Sequence, residues 1–321
     1  MLNILFVADP LATFKPYKDS TYAMMRTAQA RGHAIWACHP QDIAWRKGGV
    51  VQAAVSAIRL RDITPSPEVA HPDWFETTAS EVRALSGFDA IVMRKDPPFD
   101  AEYIYATHLL EQAEREGARV FNRPSALRDH PEKLALMQFA EWAPPTLVTR
   151  SAADVRAFHA EHGDIILKPL DGMGGAGIFR VGADGMNLGA IIETLNQDGA
   201  QTLMVQRYLP QIAEGDKRVL VIAGEPVPFA LARIPQGGEV RGNLAAGGKG
   251  VAMPLTEAER RIAEAVGPTL AARGLLLVGL DVIGGHLTEV NVTSPTCFQE
   301  ITAQTGFDVP ARFMDALQAA L

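Results

Sequence analysis

The chain has 321 residues, an apolar fraction of 47% and a formal net charge of −7. This length allows two or three packed modules, and no block of Lys and Arg indicates a nucleic-acid surface. Two cysteines, Cys38 and Cys297, are too few for a disulfide framework or a zinc site, which is typical of a reducing compartment. The N-terminus has no basic signal region, and no apolar run reaches the roughly 18 residues of a membrane helix. We expect a cytoplasmic protein that binds neither membrane nor nucleic acid.

The first third of the chain alternates strand and helix patterns. An apolar run at 2–8, a helical pattern at 18–31 that ends at Gly32, and an apolar run at 34–38 predict a β-α-β unit of an open parallel sheet. The further predicted elements are a hairpin at 43–60, a proline-containing loop at 61–72, a strand at 88–94, a helix at 100–116 and a strand at 119–122. We therefore predict an N-terminal α/β domain with an open parallel sheet at 1–122.

The rest of the chain, after a candidate boundary at Arg123-Pro124-Ser125, predicts further α/β modules over 123–210 and 211–321. The first should contain a helix at 132–140, strands at 146–149, 164–170, 177–181 and 203–209, and helices at 151–161 and 187–196. The second should contain strands at 217–223, 227–234, 275–283 and 286–293, a glycine-rich stretch at 235–250, a helix at 256–273 and two short final helices. Its sheet should be largely antiparallel.

A lysine at the end of an apolar strand pattern precedes a glycine-rich loop. Lys168 follows the apolar residues 165–167, and glycines come at Gly172, Gly174, Gly175 and Gly177. Glycines let backbone N–H groups approach phosphate oxygens, although this is not a Walker A loop because no Gly-Lys-Ser/Thr follows. The alternative is a glycine-rich hairpin with a surface lysine. We favour a phosphate loop, because a lysine inside an apolar run is costly to bury without a partner.

Three oxygen-bearing side chains end two apolar strand patterns. Glu289 and Asn291 are two residues apart and share one face of a strand, and Asp281 lies on the preceding strand across Gly284-Gly285. A three-residue turn at 284–286 places Asp281 opposite Glu289, whereas a two-residue turn would put them on opposite faces. We predict the three-residue turn, with a glycine at positive φ. These ligands suit Mg²⁺ together with substrate phosphates, and the alternative is a solvated polar face.

Basic residues cluster around a second glycine-rich stretch. Arg218 begins one strand pattern and Arg233 ends the next, while Arg241 and Asn243 lie within a long glycine-rich loop. Arginine suits phosphates and carboxylates, and a long loop of this kind is often a lid. Arg94 lies at the carboxyl end of a predicted parallel strand, where open α/β sheets bind ligands. The alternatives are strand-end charges that face water, a flexible connection and an ordinary β–α turn.

Several strings resemble the bacterial glutathione synthetase family over nearly the whole chain. They are MRKDPPFD at 93–100, LKPLDGMGG at 167–175, DKRVLV at 216–221, VGLD at 278–281 and LTEVNVTSPTC at 287–297. The resemblance implies an N-terminal domain followed by an ATP-grasp fold, in which two α+β subdomains hold ATP between them. Departures at Gly177, at 297–300 and at 14–17 affect the expected substrate detail more than the reaction type.

The resemblance also implies roles for individual residues. ATP would be bound by Lys133, Lys168, Gly172, Gly174, Gly175, Gln206, Tyr208, Leu209 and Asp216. Mg²⁺, with Mn²⁺ as a substitute, would be held by Asp281, Glu289 and Asn291. The acyl phosphate would be faced by Arg218, Arg233, Arg241 and Asn243. The acid substrate would be bound by Asp9, Ser20, Arg94, Ser294, Pro295 and Thr296.

The expected activity is ATP-dependent ligation of γ-glutamylcysteine and glycine through an acyl phosphate, in a homotetramer. The main alternative is another ATP-grasp carboxylate–amine ligase with a different acid or amine. A non-catalytic nucleotide sensor would have lost its acidic ligands, whereas Asp281, Glu289 and Asn291 are all present. A kinase has no supporting acceptor-base motif.

Overall fold

The computed structural model describes residues 1–68, 73–239, 241–244 and 247–321. Within these ranges the strands form three sheets, of seven, four and five strands. The sheets draw their strands from 3–121, 146–207 and 216–291 respectively, and the domain boundaries remain a prediction. No helix in the described ranges is long and apolar enough to cross a membrane.

The N-terminal sheet has a parallel centre, as predicted. Its elements are β1 (Asn3–Ala8), α1 (Ser20–Ala30), β2 (Ala34–Cys38), β3 (Ile43–Ala44), β4 (Gln52–Leu60), β5 (Phe75–Ala84), β6 (Ala90–Arg94), α2 (Ala101–Arg115) and β7 (Val120–Phe121), followed by α3 (Pro124–Asp129). β1 pairs in parallel with both β2 and β6. The apolar residues of β1 are buried on both faces, which is why the run reads without alternation. The carboxyl ends of β1 and β6 thus meet at one edge of the sheet.

The antiparallel side of this sheet differs from the prediction. β3 has only two residues, and β4 pairs along its length with β5, a ten-residue strand that the sequence did not predict. Most of β5 is exposed, so its residues lack the apolar alternation that marks a half-buried strand. Of the predicted loop at 61–72, residues 61–68 have neither helix nor strand, and 69–72 lie outside the described residues.

The middle sheet is antiparallel and follows the predicted order of elements. It comprises β8 (Thr146–Thr149), β9 (Ile165–Pro169), β10 (Phe179–Val181) and β11 (Leu203–Arg207), with α4 (Ala152–His162) and α5 (Leu188–Asn196). The strand order is β10-β9-β11-β8. A 3-10 helix, Leu134–Trp142, stands where a short helix was predicted. Lys168 therefore sits near the end of a central strand, directly before the glycine-rich loop.

The C-terminal sheet is antiparallel in the order β14-β13-β12-β15-β16. Its strands are β12 (Asp216–Ile222), β13 (Glu225–Ile234), β14 (Lys249–Pro254), β15 (Leu277–Ile283) and β16 (His286–Asn291), and its helices are α6 (Glu257–Ala272), α7 (Phe298–Thr305) and α8 (Val309–Ala319). A capping box of Thr256 and Glu259 begins α6. β14 begins inside the stretch 235–250 predicted as loop, of which Val240, Ala245 and Ala246 lie outside the described residues.

The first and last sheets are joined by buried polar contacts. The Asn122 amide donates to the carbonyl oxygens of Leu277 and Val292, both at 2.8 Å, and accepts from the Leu277 N–H. The last helix, α8, packs on α1, and Arg31, which directly follows α1, pairs with Asp315 of α8 at 2.7 Å. The segment that follows β16 is thereby held against the N-terminal domain.

Candidate active site

The β15–β16 hairpin brings Asp281 opposite Glu289, as predicted, but by a different turn. Ile283 pairs with His286, so the turn has two residues, Gly284 and Gly285, with φ of 55° and 76°. The predicted three-residue turn is wrong. A β-bulge restores the predicted register at Asp281. Val282 pairs with Leu287 and Asp281 with Glu289, so Thr288 has no partner in the ladder. The face shared by Asp281, Glu289 and Asn291 follows from this bulge.

Asp281 lies at the centre of a buried ion cluster. Its Oδ1 accepts from Arg218 Nε at 2.6 Å, and its Oδ2 lies 2.9 Å from Arg233 Nη2. Arg233 Nη2 also donates to Asp216 Oδ2 at 2.6 Å. Burial alone would raise the pKa of Asp281, but Arg218 and Arg233 hold that pKa well below its usual range. Burial raises the pKa of Asp216 to about 6, so Asp281 keeps its negative charge at acidic pH values at which Asp216 takes up a proton.

Two buried lysines flank Glu289. Lys133 Nζ lies 3.0 Å from Glu289 Oε1 and donates to the carbonyl oxygen of Gly172 at 2.7 Å. Lys168 is 7% exposed, yet its Nζ has only the carbonyl oxygen of Thr288, at 3.4 Å, and no carboxylate within 4 Å among the described residues. Burial lowers the pKa of Lys168. An ammonium group held in this way favours the arrival of an anion.

The two glycine-rich loops touch each other. Gly175 has φ of +85°, and a Cβ on it would lie 2.7 Å from Asn243 Oδ1 and 3.3 Å from Arg241 Cδ. Arg241 Nη1 also reaches the carbonyl oxygen of Gly175 at 3.4 Å. Only glycine allows this approach, so the second loop lies directly against the first.

Two adjoining cavities collect most of the predicted residues. The first, about 210 Å³, is lined by Lys133, Gly172, Gly174, Gly175, Arg218, Arg233, Asn243, Asp281, Glu289, Asn291, Ser294, Pro295 and Thr296. The second, about 90 Å³, is a slot lined by Lys168, Gln206, Tyr208, Leu209, Asp216, Arg241 and Asn243, with several isoleucines. Glu289 and Asn243 line both. Asp216 Oδ1 is buried without a hydrogen-bond partner in the described structure, at the wall of the slot.

Three predicted substrate residues line neither cavity. Asp9 pairs with Lys95 at 2.9 Å, and Ser20 accepts from the N–H of Phe298 at 3.2 Å. Arg94 is 4% exposed and donates to Thr21 Oγ1 and to the carbonyl oxygen of Pro295. Arg94 therefore contacts the cavity wall from behind, and the substrate roles of the three residues remain predictions.

Sequence reasoning missed two carboxylates on the first cavity. Asp96 accepts from the hydroxyl of Ser294, and Glu132 accepts from the N–H groups of Val292 and Thr293. Burial raises the pKa of Glu132, and the nearby Glu289 adds to the effect. The hydrogen-bond partners of Glu132 lie about half the chain length away in the sequence. The only local sequence signal of its role was an acidic residue next to Lys133.

The donor set fits a Mg²⁺ ion that arrives with its nucleotide. Asn291 Nδ2 donates to the carbonyl oxygen of Gly279 at 3.1 Å, which leaves its Oδ1 for the cavity, next to the carboxylate of Glu289. Both oxygens of Asp281 already accept from arginine. No group of three or more His, Cys, Asp or Glu side chains among the described residues would hold a metal without further ligands. Mg²⁺ ordinarily takes one or two carboxylates and completes its shell with phosphates and water.

The fold is that of the ATP-grasp ligases. The D-cycloserine synthetase DcsG superposes with a TM-score of 0.67 over 99% of both chains at 16% identity. The ATP-grasp ligase PsnB, in a complex with minimal precursor, Mg and ADP, superposes with a TM-score of 0.60 over 99% of this chain and 97% of its own, at 21% identity.

Sequence comparison gives the family. The model of the prokaryotic glutathione synthetase N-terminal domain matches residues 2–128, and that of the prokaryotic glutathione synthetase ATP-grasp domain matches 132–306. The glutathione synthetase of Ralstonia nicotianae is 60% identical over 99% of this chain and 96% of its own length. That of Citrobacter rodentium is 50% identical over 100% and 99%. The chain belongs to the prokaryotic glutathione synthetase family of ATP-grasp enzymes, which confirms the resemblance seen in the sequence.

Proposed function

We propose that this protein ligates γ-glutamylcysteine and glycine with ATP, giving glutathione, ADP and phosphate. One structural observation carries the proposal: the buried Lys168, without a carboxylate within 4 Å in the described part of the chain, lines the slot together with Glu289, which also lines the larger cavity. The slot has the apolar walls and the Gln206–Leu209 edge suited to adenine. The larger cavity has the arginines and carboxylates suited to two small polar substrates.

The chemistry proceeds in two transfers. A carboxylate oxygen of γ-glutamylcysteine attacks the γ-phosphorus of ATP, an O–P bond forms, and the bond to the bridging oxygen breaks to release ADP. The glycine amine then attacks the acyl carbon, a C–N bond forms, phosphate leaves with the former carboxylate oxygen, and the amine gives up a proton. The protein contributes positioning and charge neutralisation.

The proposed role of each residue follows from its position in the site. Lys133 and Lys168 bind the phosphates, with the N–H groups of the glycine-rich loop beside them. Glu289 and Asn291, with Asp281 behind them, would hold Mg²⁺, which when bound neutralises phosphate charge. Arg218 and Arg233 face the acyl phosphate from the Asp281 cluster. The contact of Arg241 and Asn243 with Gly175 keeps water from an intermediate that hydrolyses readily.

The experiment is incubation of the protein with ATP, Mg²⁺, γ-glutamylcysteine and glycine, followed by mass spectrometry. We expect glutathione only when both substrates are present, with one ADP per product. Omission of each substrate in turn is the control. A folded, nucleotide-binding sample that makes no glutathione but ligates another acid or amine from a small panel would support the alternative ATP-grasp ligase.

Three finer features are part of the proposal. Mn²⁺ substitutes for Mg²⁺, the enzyme is a homotetramer, and it works in the cytoplasm. The first is checked by replacing the metal in the same assay, the second by analytical ultracentrifugation and the third by cell fractionation.

A further inference from the structure

β16, the strand that carries Glu289 and Asn291, is at the edge of its sheet. Its inner edge pairs with β15, so the N–H groups on its outer edge need partners from elsewhere. The end of an edge strand that is hydrogen-bonded on one side only can open locally. The backbone that carries Glu289 and Asn291 is therefore held in part by whatever binds the outer edge.

One residue supplies the partners for this edge. The backbone carbonyl of Glu132 accepts from the N–H of Val290 at 3.1 Å. Its carboxylate Oε1 then accepts from the N–H groups of Val292 and Thr293, at 3.1 and 3.2 Å, and from Thr293 Oγ1 at 2.8 Å. Glu132 thus takes the place of a neighbouring strand. Its backbone carbonyl accepts the first of these hydrogen bonds, and its carboxylate accepts the others.

The same residue fixes its neighbour on the other side of the site. Lys133 follows Glu132 directly, and its ammonium contacts both Glu289 and the carbonyl oxygen of Gly172. The outer edge of β16, the lysine and the glycine-rich loop are therefore connected through two consecutive residues. A shift of Glu132 would move the carboxylate, the amide and the ammonium relative to one another.

We propose that Glu132 is a positioning residue that clamps the outer edge of β16 and thereby aims Glu289 and Asn291 at the nucleotide-bound metal. The inference rests on the proposed role of those two residues in holding Mg²⁺. Glu132 acts through the hydrogen bonds that its oxygen accepts. Outer-shell partners of metal ligands typically change metal affinity or activity by about 10–100-fold when they are replaced.

The test measures binding rather than turnover. The full-length protein is saturated with ADP and titrated with Mg²⁺ in a calorimeter. Glu132→Ala should raise the half-saturating Mg²⁺ concentration about 10–100-fold. Amide hydrogen exchange should become faster at Val292 and Thr293. Glu132→Gln is the matched control, because its amide oxygen still accepts these hydrogen bonds, and it should stay within about threefold of the unsubstituted protein.

Several results would overturn the clamp. An unchanged Mg²⁺ titration in Glu132→Ala does so directly. A rise in the half-saturating Mg²⁺ concentration that is as large in Glu132→Gln as in Glu132→Ala would also do so, because it would assign the effect to the charge of Glu132. If Glu132→Ala shows no cooperative melt, Glu132→Asp replaces it. The shorter side chain cannot span both N–H groups, so the same rise is expected and its absence refutes the clamp. If the unsubstituted protein binds ADP without any Mg²⁺ effect, the proposed metal role fails and the clamp with it.

Discussion

Replacing Asp281 by Asn tests whether the buried ion cluster holds the site together. Asp281 is the only carboxylate within 4 Å of Arg218 in the described structure, and it shares Arg233 with Asp216. The substitution keeps the shape and removes the charge, so Arg233 retains Asp216 as a partner and Arg218 loses its carboxylate. Removing one partner of a buried pair typically costs about 3–5 kcal/mol, because the remaining charge stays desolvated. We expect a loss of this size in the free energy of unfolding, measured with urea at neutral pH.

An exposed ion pair is the matched control. Asp164 and Arg180 lie 2.8 Å apart with both side chains 37% exposed, so Asp164→Asn should cost less than about 1 kcal/mol. The pH dependence gives a second check. Since the pKa of Asp281 is lowered on folding, its stabilisation is present above the unfolded value of about 3.9 and is lost as the pH falls further. Equal losses in Asp281→Asn and Asp164→Asn would refute the reasoning.

The remaining predictions concern ATP, the metal and the second glycine-rich loop. Glu289→Gln should lower kcat by about 10²–10³, and steady-state kinetics at ordinary Mg²⁺ that show most of the activity retained would contradict a ligand role. With its proposed role of binding phosphate in both the ground and transition states, Lys168→Ala should raise the KM for ATP and also lower kcat; an unchanged ATP dependence would remove it from the site. Limited proteolysis near Arg241 should be suppressed by ATP, Mg²⁺ and γ-glutamylcysteine, and Arg241→Ala should increase ATP hydrolysis without product; the absence of both effects would make the loop a simple connection.

The sequence predicted elements best where the pattern of apolar residues along the chain matches their burial in the structure. The apolar run of β1 predicted a buried strand, and the Lys168 segment predicted a strand followed by a loop, because both signals are local. β5 was missed because its stability comes from pairing with β4 along its whole length, not from burying one face. The hairpin turn was predicted wrongly because a bulge at Thr288 has no sequence signal of its own.

The site shows the same limit. Glu289 and Asn291 were grouped correctly because they are two residues apart on one strand, whereas Asp281 shares their face only through the bulge at Thr288. The pairing of Asp281 with Arg218 and Arg233 joins residues on three strands and depends on the order of the sheet. The clamp by Glu132 joins positions about 160 residues apart. Contacts of this kind arise from tertiary packing, which one sequence does not encode as a pattern.

The most direct test of the proposed reaction follows one oxygen atom. γ-Glutamylcysteine labelled with ¹⁸O in its cysteinyl carboxylate is incubated with the protein, ATP, Mg²⁺ and ¹⁵N-glycine. The acyl phosphate route predicts glutathione that contains ¹⁵N and inorganic phosphate that has gained one ¹⁸O from the carboxylate. Glutathione accompanied by unlabelled phosphate would contradict the acyl phosphate, and the absence of ¹⁵N-glutathione from a folded, ATP-binding sample would contradict the function itself.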